Sequence, residues 1–161
     1  MTIQVGDKMP EGVLMQMTAD GPAPVSTAEL FDGKKVILFA LPGAFTPTCS
    51  AKHVPSYIAN AEKLAAKGVD AVACMSVNDA FVMGAWGKDQ NTGDKVMMLA
   101  DGSADYAKAL GLELDLSTRG MGMRAQRFAI VVDNGVVSYL GIEGNPGEMT
   151  VSGAEAVLDQ M

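Results

Sequence analysis

Residues 36–50 read Val-Ile-Leu-Phe-Ala-Leu-Pro-Gly-Ala-Phe-Thr-Pro-Thr-Cys-Ser. The continuously apolar run Val36–Ala40 is typical of a central β-strand that is covered on both faces. Residues 41–46 predict a loop, because they include a Pro-Gly pair. A helix should follow, with Thr46 as its N-cap and Pro47 as its first helical residue. The stretch therefore predicts a strand–loop–helix unit with a cysteine in the first turn of the helix.

The predicted helix continues to Gly68, where a glycine is expected to end it. Pro55 lies inside the helical pattern and has no backbone N–H, so a kink is expected there. Apolar residues recur at steps of three and four along this segment and give it one apolar face; they are Val54, Tyr57, Ile58, Ala61, Leu64 and Ala65.

The rest of the chain alternates predicted strands with predicted helices. The expected strands are Val69–Val77, Val96–Leu99, Phe128–Val132 and Val136–Leu140, and the expected helices are Asp79–Gly87, Ala104–Leu110 and Gly153–Leu158. Asp-Asn-Gly at 133–135 is a strong hairpin signal between the last two strands. The pattern predicts one α/β domain over residues 1–161, with a mixed central β-sheet flanked by helices.

Composition excludes several classes of function. The chain has 48% hydrophobic and 19% charged residues, enough apolar material for a sizeable core. Its net charge of −7 disfavours nucleic acid and anionic membrane surfaces as partners. No presequence and no membrane span is evident, so a cytoplasmic location is expected. Two cysteines and one histidine are too few for a disulfide scaffold or a structural zinc site, so neither a metal nor another cofactor is expected.

Cys49 is the residue best placed for chemistry. It would be the third residue of the predicted helix, where free backbone N–H groups and the helix dipole favour a thiolate over a thiol. A free cysteine titrates near ~8.5, and such sites lower this to roughly 3.5–7.5. On the residues alone, however, a small buried and unreactive cysteine remains an equal interpretation.

The neighbours of Cys49 suit a peroxide as the electrophile. Thr46 lies one turn earlier and could offer its hydroxyl to the sulfur or to a peroxide oxygen. Cleavage of an O–O bond places negative charge on the leaving oxygen, so a fixed cationic donor is expected as well. Arg124 and Arg127, just before a predicted strand, are both candidates. Pro42 and Phe45 are expected to screen the sulfur from water.

Three groups of residues resemble the peroxiredoxin family, and its type II branch in particular. Pro42, Thr46 and Cys49 form the pattern P-x-x-x-T-x-x-C. The other matching stretches are Val77-Asn78-Asp79-Ala80-Phe81 with Trp86-Gly87, and Gln126-Arg127-Phe128 leading into Val131-Val132-Asp133-Asn134-Gly135. The resemblance extends from about Val5 to the C-terminus.

The resemblance implies a thioredoxin-like fold and the thiol-dependent reduction of hydrogen peroxide and alkyl hydroperoxides. It makes Cys49 the peroxidatic residue, oxidised to a sulfenic acid, and makes Thr46 and Arg127 the donors that hold the peroxide. Pro42 would shield the site, and the pocket would be completed by Gly43, Ala44 and Phe45. A homodimer is expected, with Phe45 and the loop Leu112–Leu116 as contacts.

The route of recycling depends on Cys74. It is interpreted either as a buried strand residue or as a resolving cysteine that forms a disulfide with Cys49. Some relatives carry a resolving cysteine near the C-terminus, but residues 148–152 contain none. An external thiol, either glutathione with glutaredoxin or thioredoxin, is therefore the expected reductant.

Two alternatives involve other chemistry. His53 lies four residues after Cys49, so a Cys49/His53 hydrolase is conceivable, although a packed or capping histidine is the simpler interpretation. A catalytically silent, redox-sensing thioredoxin-like module is the third hypothesis.

Residues 120–125 match the dinucleotide pattern G-x-G-x-x-A, but a strand follows where a helix is required, so a flexible loop is predicted.

Overall fold

The computed structural model describes residues 1–161 and contains nine strands and six α-helices. The strands are β1 (Val13–Thr18), β2 (Gly21–Ser26), β3 (Lys35–Ala40), β4 (Ala71–Ser76), β5 (Met97–Ala100), β6 (Glu113–Leu116), β7 (Gly122–Ala125), β8 (Phe128–Asp133) and β9 (Val136–Ile142). The helices are α1 (Thr27–Phe31), α2 (Val54–Ala59), α3 (Ala61–Ala66), α4 (Ala80–Gln90), α5 (Asp105–Leu110) and α6 (Ala154–Leu158). None of them is both long and apolar enough to cross a membrane.

Seven strands form one sheet in the order β2-β1-β5-β4-β3-β8-β9. The sheet is mixed, as the sequence predicted. β3 and β5 each pair with β4 in parallel, and the remaining pairs are antiparallel. β3 lies near the middle, between β4 and β8. Its last residue, Ala40, pairs with Phe128, the first residue of β8. The end of β3 and the start of β8 therefore meet at one edge of the sheet.

The core lies on both faces of this sheet. Val36 and Leu38 point to the face covered by α1 and α5, whereas Ile37 and Phe39 point to the face covered by α2, α3, α4 and α6. The Phe39 ring stacks on the Tyr57 ring of α2, with 4.1 Å between centroids. Burial of one such side chain contributes about 1.5–3 kcal/mol. This packing fixes α2 against β3.

The helix that carries Cys49 starts at Pro47, as predicted, but it is not a regular α-helix. Residues Cys49–His53 form a π-helical turn, which closes with a bond from the Val54 N–H to the Cys49 carbonyl. Pro55 cannot donate to the carbonyl four residues earlier, so a wider turn is the local solution. The kink expected at Pro55 thus takes the form of a π-turn just before it.

A second interruption of this segment was not signalled by the sequence. The Asn60 side-chain amide donates to the Ser56 carbonyl at 2.8 Å, and Asn60 separates α2 from α3. The predicted end of the segment is confirmed, because Gly68 follows α3 with a φ of +86°. The hairpin signal is also confirmed: Asn134 and Gly135 both have positive φ, as a type I′ turn requires.

Other short elements were missed. β2 contains Pro22 and Pro24, which is compatible with a strand only at the edge of a sheet, where β2 lies.

The flexible loop predicted for residues 120–125 is wrong over Gly122–Ala125, because this segment forms β7 and pairs with β6. The Leu112–Leu116 segment is likewise mostly strand rather than loop. A strand, β8, still follows β7, so the G-x-G-x-x-A pattern lacks the helix that a dinucleotide site needs.

Candidate active site

The side chains of Cys49 and Arg127 meet in the interior. Arg127 Nη2 donates to Cys49 Sγ at 3.0 Å. Cys49 is fully buried and Arg127 is only 2% exposed. Arg127 immediately precedes β8, and Cys49 lies in the helix that follows β3, so the pairing of these two strands brings them together. Of the two arginines that the sequence offered, the structure places Arg127 at the sulfur.

Arg127 is held at three points. Besides its bond to sulfur, Nη1 lies 2.8 Å from His53 Nδ1, and Nε donates to the Pro146 carbonyl at 2.9 Å. None of these partners is a carboxylate. A buried cation is costly unless an anion compensates it, and the thiolate form of Cys49 is the anion within reach. The arrangement therefore places a buried cation directly against the sulfur that the resemblance makes the nucleophile.

His53 does not face the sulfur as a base. Arginine can only donate, so His53 Nδ1 accepts from Arg127, and Nε2 donates to the Ser152 carbonyl at 3.0 Å. Burial, followed by the charge of Arg127, lowers the pKa of His53 from 6.5 to about 3. The imidazole is thus neutral, and its only acceptor nitrogen is occupied. A Cys49/His53 hydrolase would need that nitrogen free for the thiol proton.

Thr46 adopts the predicted position but not the predicted hydrogen bond. Its carbonyl accepts from the Ser50 N–H at 2.9 Å, which places Thr46 at the helix start. Its hydroxyl donates to the Gly43 carbonyl at 2.7 Å and forms no bond to Cys49 or to the helix N–H groups. Because that single proton is committed, the Thr46 oxygen is available as an acceptor rather than as the donor expected from the sequence.

The loop before the helix is closely packed. Arg124 Nη1 lies 3.4 Å from the Pro42 carbonyl, and the Ala44 N–H donates to Asn78 Oδ1 at 3.0 Å. A Cβ on Gly43 would lie 3.0 Å from Arg124 Nη1, so a larger residue there would require the arginine side chain to shift. Arg124 therefore supports the loop, and Pro42 and Gly43 are buried within it. Asn78 was not singled out as a site residue from the sequence.

Phe45 has a different environment from the one expected. It adopts a left-handed backbone conformation, with a φ of +61°, and is 54% exposed. Its ring centroid lies 6.3 Å from that of Trp86, whose indole N–H donates to Ser50 Oγ at 3.1 Å. A ring that is more than half exposed does not seal the sulfur. In this structure Cys49 lies in a buried apolar cluster that includes Leu41 and Val54, and Arg127 contacts its sulfur.

Cys74 lies in the middle of β4 and is fully buried. Both cysteines are free thiols in this structure. Burial, with a smaller effect of the neighbouring Cys49 sulfur, raises the pKa of Cys74 well above its ordinary value. Cys74 is therefore protonated at neutral pH, which is the unreactive form of a thiol.

A loop that the sequence analysis missed completes the site. Residues 144–153 follow β9 and supply the Pro146 carbonyl to Arg127 and the Ser152 carbonyl to His53. Glu143 anchors this loop, since its carboxylate accepts bonds from Thr150, Val151 and Ser152. Burial alone would raise the pKa of Glu143, but these hydrogen bonds outweigh it and lower the pKa from 4.5 to about 2. No group of His, Cys, Asp or Glu side chains is arranged to hold a metal ion.

Comparison with known proteins agrees with this chemistry. Residues 4–158 match the Redoxin family model. The chain is 50% identical to Peroxiredoxin-2D of Arabidopsis thaliana over 157 residues, which cover 97% of this chain and 96% of the relative.

Solved structures show the same fold. The reduced Prx3 of Vibrio vulnificus in complex with H2O2 superimposes with a TM-score of 0.93 at 52% identity, covering 98% of both chains. Peroxiredoxin 5 of Alvinella pompejana gives a TM-score of 0.85 at 34% identity, covering 98% of this chain and 97% of its own. The predicted thioredoxin-like fold is confirmed, and the chain belongs to the type II, peroxiredoxin-5-like branch of the peroxiredoxin family.

Proposed function

We propose that this peroxiredoxin reduces hydrogen peroxide and alkyl hydroperoxides at Cys49 and is recycled by an external thiol rather than by its own second cysteine. The observation that carries the proposal is the 3.0 Å contact between Arg127 Nη2 and Cys49 Sγ, made between two buried side chains. Thiol peroxidase activity is the activity of the family. What we propose for this chain is the range of peroxides that it reduces and the thiol that recycles it.

The first half-reaction is a displacement at oxygen. The Cys49 thiolate attacks the terminal oxygen of the hydroperoxide, an S–O bond forms and the O–O bond breaks. Sulfur is oxidised by two electrons to a sulfenic acid, and the peroxide is reduced to an alkoxide, or to hydroxide when the substrate is hydrogen peroxide. The leaving oxygen takes up a proton and departs as alcohol or water. Sulfur itself is the redox centre, so no prosthetic group is required.

The residues around the sulfur suit this step. The Arg127 guanidinium carries donors that can interact with the developing negative charge. A preorganised donor of this kind lowers the activation free energy by about 2.7–4 kcal/mol. The Thr46 oxygen can accept from the O–H of the peroxide, since its own proton is bonded to Gly43. Pro42 is buried in the loop that leads into the Cys49 helix, and we assign it the shielding of the site from water.

The second half-reaction restores the thiol. One external thiol condenses with the sulfenic acid to form a mixed disulfide and water. A second external thiol then attacks the mixed disulfide, which frees Cys49 as a thiol and leaves the two external thiols joined as a disulfide. Cys74 is poorly suited to the first role, because it is buried in a central strand and protonated. A disulfide between the two cysteines would require local unfolding of β4 or the Cys49 helix. Glutathione with glutaredoxin, or thioredoxin, is the proposed source of the electrons.

We further infer a cytoplasmic location and a homodimer. A reducing compartment is where two free cysteines persist. Phe45 and Phe81, respectively 54% and 65% exposed, are large apolar side chains that a second copy could cover. Leu112, which the sequence analysis included in the contact, is 1% exposed in the core and cannot contribute. The proposed contact therefore comprises Phe45, residues 113–116, which are half-buried or exposed, and the start of α4.

Matched serine variants test the roles of the two cysteines independently. Cys49→Ser should abolish peroxide consumption with its folding intact. Cys74→Ser should retain turnover with the best of three reductants, namely thioredoxin, glutathione alone and glutathione plus glutaredoxin. Loss of all turnover in Cys74→Ser, with normal far-ultraviolet circular dichroism, would contradict recycling by an external thiol.

Removal of the guanidinium tests the charge-stabilising role. Arg127→Gln should slow the oxidation of Cys49 by hydrogen peroxide about 10²–10³-fold, because the developing oxyanion loses its positively charged donor. Stopped-flow intrinsic fluorescence would follow the rate, and Arg119→Gln, at an exposed position, is the control. An Arg127→Gln protein that kept the wild-type rate would refute the role.

The proposed dimer contact is tested by a charge at its centre. Phe81→Glu should raise the dimer dissociation constant about tenfold or more, since burying one aromatic side chain contributes about 1.5–3 kcal/mol. Sedimentation velocity over a concentration series would measure it, with Phe81→Leu as the apolar control. A wild-type protein that sediments as a monomer at all concentrations would overturn the dimer.

A further inference from the structure

His53 links Arg127 to the loop after β9, although it contacts neither sulfur nor substrate. It is fully buried, and both ring nitrogens are engaged. We propose that His53 is a positioning residue, whose unprotonated Nδ1 accepts from Arg127 Nη1 and thereby aims Nη2 at the Cys49 sulfur. The readout by peroxide rate rests on the proposed function, whereas the hydrogen bond itself can be tested without it.

The geometry of a guanidinium makes this aim possible. Nη1 and Nη2 belong to one rigid planar group, so a partner that fixes Nη1 also fixes the direction of Nη2. Nε is fixed separately by the Pro146 carbonyl at 2.9 Å. Without an acceptor at His53, the Nη1 donor would be buried without that partner, at a cost of roughly 1–3 kcal/mol. The plane would then be free to turn away from the sulfur.

The imidazole is itself held in one orientation. Its Nε2–H points at the Ser152 carbonyl, and its ring packs against that of Phe39, with 4.8 Å between centroids. The Tyr57 ring lies on another side, 5.8 Å away between centroids. These contacts fix the ring, and the Ser152 carbonyl fixes the tautomer, because a carbonyl can only accept.

The Ser152 carbonyl is held in turn by a buried carboxylate. The Ser152 N–H and hydroxyl both donate to Glu143 Oε2, at 2.8 and 2.7 Å. Tyr57 adds a bond from its hydroxyl to the same carbonyl at 2.6 Å. A continuous chain of hydrogen bonds therefore connects Glu143 through Ser152, His53 and Arg127 to the reactive sulfur. Its members come from four separate parts of the sequence.

Two amide substitutions distinguish the bond between His53 Nδ1 and Arg127 from the bond between His53 Nε2 and the Ser152 carbonyl. In His53→Asn the amide oxygen takes the place of Nδ1 and can accept from Arg127, but the side chain is too short to reach Ser152. In His53→Gln the amide nitrogen takes the place of Nε2 and can donate to the Ser152 carbonyl, but no acceptor remains at the Nδ1 position.

The variants are compared by two reactions of Cys49. Oxidation by hydrogen peroxide needs the aimed guanidinium, whereas alkylation by iodoacetamide needs only an ionised sulfur. His53→Gln should lose roughly 10²-fold in peroxide rate, the cost of a misplacement of about 1 Å. The alkylation rate should change much less when it is measured on its alkaline plateau, where the sulfur is ionised in every variant. His53→Asn should keep most of the peroxide rate. Equal losses in both variants, or no loss in His53→Gln, would overturn the proposal.

A measurement on the unmodified protein covers the case in which the variants do not fold. Nitrogen-15 NMR of the single histidine should show the neutral Nε2–H tautomer with an unprotonated Nδ1. A proton on Nδ1 would overturn the positioning role, because Arg127 would then have no acceptor. A wild-type protein that showed this tautomer but consumed no peroxide would refute the proposed function and leave the hydrogen bond standing.

Discussion

The contact between the Arg127 guanidinium and the Cys49 sulfur is the interaction on which the rest of the structure depends. It joins a cation and a thiol that are both withdrawn from water, and no carboxylate shares the cation. In such an environment a charge–charge interaction is much stronger than in solvent, and an uncompensated charge is correspondingly costly. The site therefore places a buried guanidinium beside the sulfur, where it can also interact with negative charge on a leaving oxygen.

The fold supplies this contact through the pairing of two neighbouring strands. Ala40 at the end of β3 lies opposite Phe128 at the start of β8. The helix that follows β3 and the arginine that precedes β8 consequently lie next to each other, at the same end of these two paired strands. Phe39, on β3, then stacks on Tyr57 and packs against His53, so the core also orients the site. Stability and reactivity share these residues.

Local signals explain what the sequence could predict. The buried strand at residues 36–40, the helix start at Pro47, the helix end at Gly68 and the turn at Asn134–Gly135 each depend on a few adjacent residues. The resemblance added the choice of Arg127 over Arg124, which spacing alone left open.

Tertiary contacts explain what could not be predicted. The His53–Ser152 bond joins residues 99 positions apart, and no local pattern announces Glu143 as the anchor of a loop. The direction of the Thr46 hydroxyl depends on the Gly43 carbonyl, which only the folded loop brings within reach. The π-turn needed both the missing Pro55 donor and the packing of α2. Sequence therefore singled out Cys49, Thr46 and Arg127 as candidates but not the hydrogen-bond network that surrounds them.

In the proposed mechanism, Arg127 and Thr46 are arranged to hold a peroxide before it reacts with Cys49. The most direct measurement is a crystal structure of a Cys49→Ser protein soaked with hydrogen peroxide. A peroxide is expected within hydrogen-bond distance of Arg127 Nη2 and Thr46 Oγ1, with the threonine hydroxyl still bonded to the Gly43 carbonyl. A peroxide bound away from both residues, or a guanidinium turned from the position of the sulfur, would contradict it.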